Sequence, residues 1–557
     1  MTTTVAALCT PTPPPSAPRR DADWWRGAVV YQIYPRSFAD SNGDGIGDLP
    51  GITSRLDYVA GLGVDAIWIS PFFKSPMRDF GYDISDFRAV DPIFGSLDDF
   101  DALLARAHQL GLKVLIDQVL SHTSDEHAWF KESRASRTNP KADWYVWADP
   151  QADGTPPNNW LSVFGGSAWH WHAGRRQYYL HNFLASQPDL NLHHPQVQVK
   201  LLDDVRFWLD RGVDGFRFDA VNFYFHDQSL RSNPAWGDRP RTDHSTPDSN
   251  PYAWQQHRHD KTQPENLGFL RRLRALMDGY GAITSVGEIG DDDALAVMAD
   301  YTSGGDKLHM AYTFNLLRDD LDASHIRDVV QSLNAGIGDG WPCWSIGNHD
   351  APRVLSRVGG AEAPPALAAV LLALLVCLRG SACVYQGEEL GLTEAEVPFE
   401  ALRDPYGIAF WPEFKGRDGC RTPMPWDDRA PHAGFSTAAP WLPVSAAHLP
   451  RSVSRQQADP ASPLHAVRAF LAWRRGHAAL IRGDLQFLDA PEHCVVFKRR
   501  LGGEGLLAAF NLSAKPVRID ATALGALSPL DGHGLAGRQE GEAIHLPAHG
   551  AFFGRLT

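Results

Sequence analysis

Gly212–Asn222 reads GVDGFRFDAVN, an apolar run broken by Arg217 and Asp219. In a β-strand residues i and i+2 share a face, so these two project together while Phe218 turns into packing. A guanidinium beside a carboxylate lowers its pKa and keeps it ionised, as a nucleophile requires. A structural ion pair at a strand end is the competing reading. Similar segments recur along the chain: VVYQI after Trp24, GVDAIWISPFF from Gly63, GLKVLIDQVLSH from Gly111, AITSVGEI from Ala282, WSIGNHD from Trp344 and SACVYQGEE from Ser381. With VDGFRF they make seven candidate strands, separated by helical periodicity such as Ile52–Leu62 and Leu97–Leu110. Strand, loop, helix, strand is the rhythm of parallel βα units, and AIWIS and VLI are apolar enough to be buried on both faces. Seven or eight such units predict a (β/α)8 TIM barrel.

The rhythm breaks twice. Residues 123–187 are rich in Trp, Asn, Gly and Pro and predict a loop-rich inserted domain B after strand 3; residues 229–265 predict an irregular loop over the same face. Beyond Ile481 short alternating runs, CVVFKRR, GLLAAFNL, PVRID and AIHLP, predict a C-terminal antiparallel β-domain. The expected domains are therefore a disordered, proline-rich leader at 1–22, a catalytic barrel at 23–122 and 188–480, domain B at 123–187, and the β-domain at 481–557.

A net charge of −14 excludes a nucleic-acid partner on electrostatic grounds and leaves a neutral small molecule as the easier substrate. The 18 Trp and 27 Phe suit a protein that stacks flat sugar faces. Six cysteines without metal-ligand spacing indicate neither zinc nor a disulfide framework, so a cytoplasmic chain is expected. The first residues lack the basic start and apolar run of a signal peptide. The longest apolar run, Ala366–Leu378, is 13 residues, which suits a buried helix and is too short to cross a membrane.

Polar groups follow the candidate strands: Asp79 and Asp83 in DFGYD, Asp117 and His122, Arg217 and Asp219, Glu288, His349 and Asp350. All should emerge at the C-terminal face of a barrel, where enzymes of that fold do their chemistry. Paired carboxylates suit glycosidic cleavage, with Asp219 as nucleophile and Glu288 as acid/base; Val286 and Ile289 beside Glu288 are expected to raise its pKa. Asp40, Asn42, Asp44 and Asp48 in DSNGDGIGD alternate oxygen-bearing side chains with glycine, as a hard cation (Ca²⁺ or Mg²⁺) requires, or as a turn closed by its own Asx hydrogen bonds.

From Trp24 onward the chain resembles the α-amylase superfamily of glycoside hydrolases (family 13), in its α-glucosidase and oligo-1,6-glucosidase branch. The resemblance rests on GVDAIWISPFFKSP, DFGYD, DQVLSH, QPDLN, GFRFDAVN, GNHDAPR, YQGEELG and GRDGCRTPMPW. It implies a nucleophile at Asp219, an acid/base at Glu288 and a third carboxylate at Asp350. It further implies that His122, Arg217 and His349 surround the glucose ring, that Tyr82 is its platform, and that Asp79 with Arg417 closes the pocket. The activity implied is exo-acting and retaining, on a small maltose-like α-glucoside, with a structural metal at Asp40, Asn42, Asp44, the carbonyl of Ile46, and Asp48.

Departures from the family pattern refine this. Asn222 and Phe223 replace a Lys-His pair that holds long chains, which argues against endo-acting starch hydrolysis, and Ala220 tilts the linkage toward α-1,4. Ser121 stands where the wider family has asparagine. Phe164, Phe314 and Trp169–Trp171 either line an acceptor site, favouring glucosyl transfer to alcohols or sugars, or pack the insertion. A sugar isomerase acting on sucrose, maltose or trehalose, and a non-catalytic relative, are the alternatives; a monomer or homodimer with no membrane contact is expected.

Overall fold

The computed structural model describes residues 21–238, 246–319 and 321–556, so the expected leader lies outside the described residues apart from Asp21 and Ala22. Eight parallel strands form the central sheet: β1 Val29–Ile33, β2 Ala66–Ile69, β3 Lys113–Val119, β4 Gly215–Asp219, β5 Thr284–Ile289, β6 Met310–Thr313, β7 Cys343–Ser345 and β8 Ser381–Tyr385. Their spatial order is β6-β5-β4-β3-β2-β1-β8-β7, and a single parallel bridge between Ala311 and Pro342 joins the two ends into a barrel. Seven of these strands are those expected. The eighth, β6, is a four-residue MAYT segment with no run of β-branched residues, which is why periodicity missed it.

Local chemistry sets the turns that aim the strands. Helix α1 (Leu49–Ala60) is capped by Asp48, whose carboxylate accepts from Gly51 N, and α2 (Leu97–Gln109) opens on a Ser96–Asp99 capping box. Helix α3 (Pro195–Arg211) ends at Gly212 with φ +100°, a left-handed position that turns the chain into β4 without a Cβ clash. Gly215 then lets β4 approach β5, because a Cβ there would lie 2.5 Å from the carbonyl of Thr284.

Phe216 and Phe218 face outward into the core shared with the helices, whereas Val30, Trp68, Leu115, Val286, Met310 and Cys383 fill the barrel. Arg217 and Asp219 face that interior. Helix α4 (Pro365–Cys377) carries the long apolar run and is buried on nearly all sides. Its last carbonyls accept from Arg474, on Val376 at 2.8 Å, and from Arg499, on Cys377. Cations at a helix C-terminus are worth about 0.3–2 kcal/mol. Arg499 belongs to the C-terminal region, where two antiparallel sheets of five and three strands stand, so this contact ties that region to the barrel.

Between β3 and α3 lie a short helix, Ala128–Ser133, and a three-stranded antiparallel sheet with Gln177–Leu180 between Trp147–Ala148 and Trp169–His172. That sheet decides between the two readings of Trp169–Trp171. Trp169 stacks on Trp160 inside it and Trp171 lies against Tyr178, so the Trp169–Trp171 stretch packs the insertion, because strand pairing turns its side chains away from the barrel mouth.

Candidate active site

A cavity of about 590 Å³ opens at the C-terminal ends of the barrel strands. The expected contributors arrive from the ends of seven successive strands. Asp79 and Tyr82 follow β2, His122 follows β3, Phe164 comes from the insertion, Asp219 and Glu288 end β4 and β5, Phe314 follows β6, Asp350 follows β7 and Arg417 follows β8. All of these line the cavity, while Arg217 and His349 support it from behind.

Arg217 is the electrostatic centre. Its Nη1 donates to Asp219 Oδ1 at 2.6 Å and to Asp117 Oδ1 at 2.9 Å, and its Nη2 lies 2.7 Å from Glu288 Oε2. One guanidinium thus faces three carboxylates. Burial pushes Asp219 well above the usual carboxylate range; Arg217 pulls it down, but Glu288 and Asp117 push it up again. Asp117 is raised by burial to about 6. One desolvated guanidinium is shared among three buried carboxylates, so its pull on Asp219 is weaker than that of an unshared partner. The surroundings of Glu288 are also more polar than Val286 and Ile289 suggest. Its Oε1 accepts from Tyr312 Oη at 3.0 Å and its Oε2 from Ala220 N at 3.1 Å. Ala220 holds φ +40°, ψ +47°, a left-handed conformation that costs a non-glycine residue about 1–3 kcal/mol and brings its amide onto Glu288.

The opposite wall is built around Arg417. Its Nη2 donates to Asp79 Oδ1 at 2.9 Å and to Asp404 Oδ1 at 2.8 Å, and its Nη1 to Asp350 Oδ1 at 3.2 Å. Arg421 adds a 2.7 Å bond to the same Asp350 oxygen. Burial raises Asp350, yet the guanidinium groups of Arg417 and Arg421 outweigh it and hold the carboxyl below its ordinary value. The site thus separates its carboxylates: facing cations pull Asp350 below the ordinary value, whereas burial pushes Asp219 above it.

Histidines complete the floor as neutral rings, because burial lowers His122 to about 4 and His349 well below its usual value. His349 has Gln32 Nε2 2.7 Å from Nδ1 and Tyr82 Oη 2.6 Å from Nε2. Tyr82 also donates to Asp117 Oδ2 at 3.2 Å. Ser121 Oγ lies 2.9 Å from His122 Nδ1, and Gln187 Nε2 donates to Asp79 Oδ2 at 3.0 Å. Phe164 stacks on Tyr406 with centroids 5.0 Å apart, under the guanidinium of Arg417.

Sequence reasoning missed Tyr312, Asp404, Arg421 and Tyr406. Tyr312 sits on the unrecognised strand, and a Tyr–Thr–Phe run after a short apolar pair was its only signal. Asp404 and Tyr406 lie in a long connection after β8 where no periodicity marks function. Arg421 was within a quoted motif but gained no role without its partner in view.

The family model of the alpha amylase catalytic domain matches residues 32–483, most of the chain. The chain belongs to that family. Among its relatives, a probable alpha-glucosidase of Rhizobium meliloti (strain 1021) is 57% identical over 540 residues, spanning 96% of this chain and 98% of the relative. The solved alpha-glucosyl transfer enzyme XgtA is 60% identical, with a TM-score of 0.94 over 96% of this chain and 99% of that one. The trehalulose synthase MutB from Pseudomonas mesoacidophila MX-45 is 32% identical, with a TM-score of 0.86 over 98% and 100%.

The 40–48 loop offers the carboxylate, amide and carbonyl oxygens that a hard cation takes, and its side-chain oxygens also accept from the loop's own amides. Asp40 accepts from the amides of Asn42, Gly43 and Gly45, Asn42 from Asp44, Asp44 from Ile46, and Asp48 from Ser41 and Gly51. Among the described residues no group of three or more His, Cys, Asp or Glu side chains is placed to hold a metal. The loop closes by Asx turns of its own.

Proposed function

We propose that this member of the family is a retaining, exo-acting α-glucosidase that releases or transfers single α-glucosyl units from maltose-like α-1,4 substrates. The observation that carries the reading is the meeting of Asp219, Glu288 and Asp350 in one cavity whose wall is the Asp79–Arg417 ion pair. Asp219 attacks the anomeric carbon, the bond to the leaving oxygen breaks, and that oxygen takes the departing electron pair together with the proton of Glu288. Glu288, now a carboxylate, removes a proton from water or an acceptor hydroxyl, whose oxygen displaces Asp219 from the same carbon. Two inversions give net retention. Positive charge developing at the anomeric carbon favours the ionised form of Asp219 once substrate binds.

Transfer is supported by the cavity rim, where Phe164, Phe183, Phe223, Phe314, Leu317 and Tyr406 leave an apolar acceptor side. Water competes poorly for a dry site. In a product-resolved time course, maltose is expected to be consumed at least tenfold faster than soluble starch, and maltose with hydroquinone to yield an α-glucosyl hydroquinone. Fast starch cleavage with slow maltose turnover would sink the closed pocket, and glucose as the sole product with hydroquinone present would remove transfer. A sugar isomerase is separated in the same run, because sucrose would return an isomeric disaccharide rather than free glucose.

The reading extends to a structural cation at Asp40, Asn42, Asp44, the Ile46 carbonyl and Asp48, remote from the chemistry. Treatment with EDTA is expected to lower Tm by a few degrees with kcat/KM unchanged; an unchanged Tm removes the ion. A cytoplasmic location is likewise proposed, supported by five described cysteines that are all free thiols. Among the described residues no helix is long and apolar enough to cross a membrane.

A further inference from the structure

Asn222 ties three segments together at the acceptor side of the cavity. It lies in the turn Val221–Phe223, just beyond Asp219, and is fully buried. Its Nδ2 donates to Thr262 Oγ1 at 2.9 Å and to the carbonyl of Gly290 at 2.8 Å. Its own carbonyl accepts from Thr262 N at 2.7 Å, and Thr262 Oγ1 in turn donates to the Asp291 carboxylate. The turn after β4, the residues after β5 and the connection between those two strands therefore meet on one amide side chain.

Thr262 holds φ +56°. A β-branched residue is strained in that region, and such strain persists only where surrounding contacts over-determine it. Here the amide and the hydroxyl of Thr262 are both engaged, by Asn222 and by Asp291. The chain neighbours of this bracket form a wall of the site: Phe223, Lys261 and Gly290 all line the cavity. Lys261 Nζ donates to Tyr252 Oη at 3.0 Å and lies 5.0 Å from the centre of the Phe223 ring, so the wall is tied within itself as well. Asp79, Tyr82, Asp350 and Arg417 stand on the connections after β2, β7 and β8, whereas the bracket joins those after β4 and β5.

We propose that Asn222 is a positioning residue which, through Thr262, fixes the wall of Phe223 and Lys261 relative to Asp219 and Glu288, and so sets how much of the glucosyl unit passes to an acceptor rather than to water. The proposal rests on the reading of the site as that of a transferring α-glucosidase. In the deciding step the acceptor oxygen bonds to the anomeric carbon, the bond to Asp219 breaks with its electron pair staying on the carboxylate, and the acceptor proton passes to Glu288. Water follows the same course with the same groups. An alcohol or phenol must be held in line by the wall, and a misplacement of about 1 Å can cost such a reaction up to about 10²-fold. Water is small enough to reach the carbon without that wall. Both products come from one glucosyl-enzyme, so their ratio is independent of how much of a variant is folded and of how fast the first step runs.

The test uses α-glucosyl fluoride as donor, so that free glucose comes only from hydrolysis, with hydroquinone as acceptor. Wild type, Asn222→Ala, Thr262→Val and Thr262→Ser are compared by the ratio of glucosyl hydroquinone to glucose. Asn222→Ala and Thr262→Val are each expected to lower that ratio about tenfold and to raise the hydroquinone concentration giving half-maximal transfer. Thr262→Ser keeps the hydroxyl and should keep the wild-type ratio. A ratio that is unchanged or raised in either Asn222→Ala or Thr262→Val, whatever the total rate or Tm, would overturn the proposal. If the wild type itself yields glucose alone, the transfer reading fails and the proposal falls with it. If the wild type forms the glucoside and the ratio does not respond, the transfer reading stands and only the role of Asn222 falls.

Discussion

Asp219→Asn is expected to lower kcat on maltose by about 10⁴-fold or more while leaving the fold intact, as removal of an activated nucleophile does in other covalent enzymes. The amide is isosteric, so the cavity keeps its shape, and Arg217 retains Asp117 at 2.9 Å and Glu288 at 2.7 Å. Stability should not suffer. Burial already disfavours the charged form of Asp219, and removing one of three carboxylates around a single guanidinium relieves repulsion. An unchanged or raised Tm is therefore expected, with maltose binding to the variant still measurable by calorimetry. Residual turnover above about 1% of the wild type would overturn the nucleophile assignment, and a collapse in Tm would show that Asp219 is chiefly a structural ion pair.

The second large effect is expected at Arg417→Ala. This side chain bonds Asp79, Asp404 and Asp350 together, and all three carboxylates lie against it in a largely buried wall. Removing it strands buried anions without their cation, which costs about 3–5 kcal/mol in comparable buried networks. Burial already raises Asp79. Loss of Arg417 favours its protonated form further, and a neutral carboxyl gives a sugar hydroxyl a weaker hydrogen bond than a carboxylate does. The expected outcome is a fall of about 10³-fold in kcat/KM on maltose, with a clear loss of Tm, and a rise in the ratio of starch to maltose turnover as the closed end opens. Arg417→Lys should fall between, since an ammonium keeps the charge but cannot reproduce the fork. Activity and Tm within error of the wild type for Arg417→Ala would remove the closed-wall argument.

Much of the site was legible before folding was considered. The acids and histidines were visible because each follows a buried strand, and a strand's end has a known place in a parallel barrel. Arg217 and Asp219 could be paired from period-two geometry alone. The sixth strand was not legible, because Met310–Thr313 is only four residues long and its pairing comes from β5 and one bridge to Pro342. Its loss hid Tyr312. Asp404 was illegible for a different reason: it acts through Arg417, 13 residues later, and no local pattern records that contact. For Trp169–Trp171 the sequence left two readings open, since aromatic density marks packing as readily as a sugar platform.

The amino-acid order by itself determined the barrel and the strand-end placing of the acids, because these depend on residue type and spacing along strands; the family resemblance that it carries supplied the role of Asp350 and the Asp79–Arg417 pair. Tertiary structure alone decided how charge is distributed among them. Asp350 is pulled below the ordinary carboxylate range by Arg417 and Arg421 on the connection after β8, whereas Asp219 shares Arg217 with Asp117 and Glu288 in a desolvated cluster. Protonation follows from burial and from the number of partners per charge, and neither quantity exists until distant strands are brought side by side.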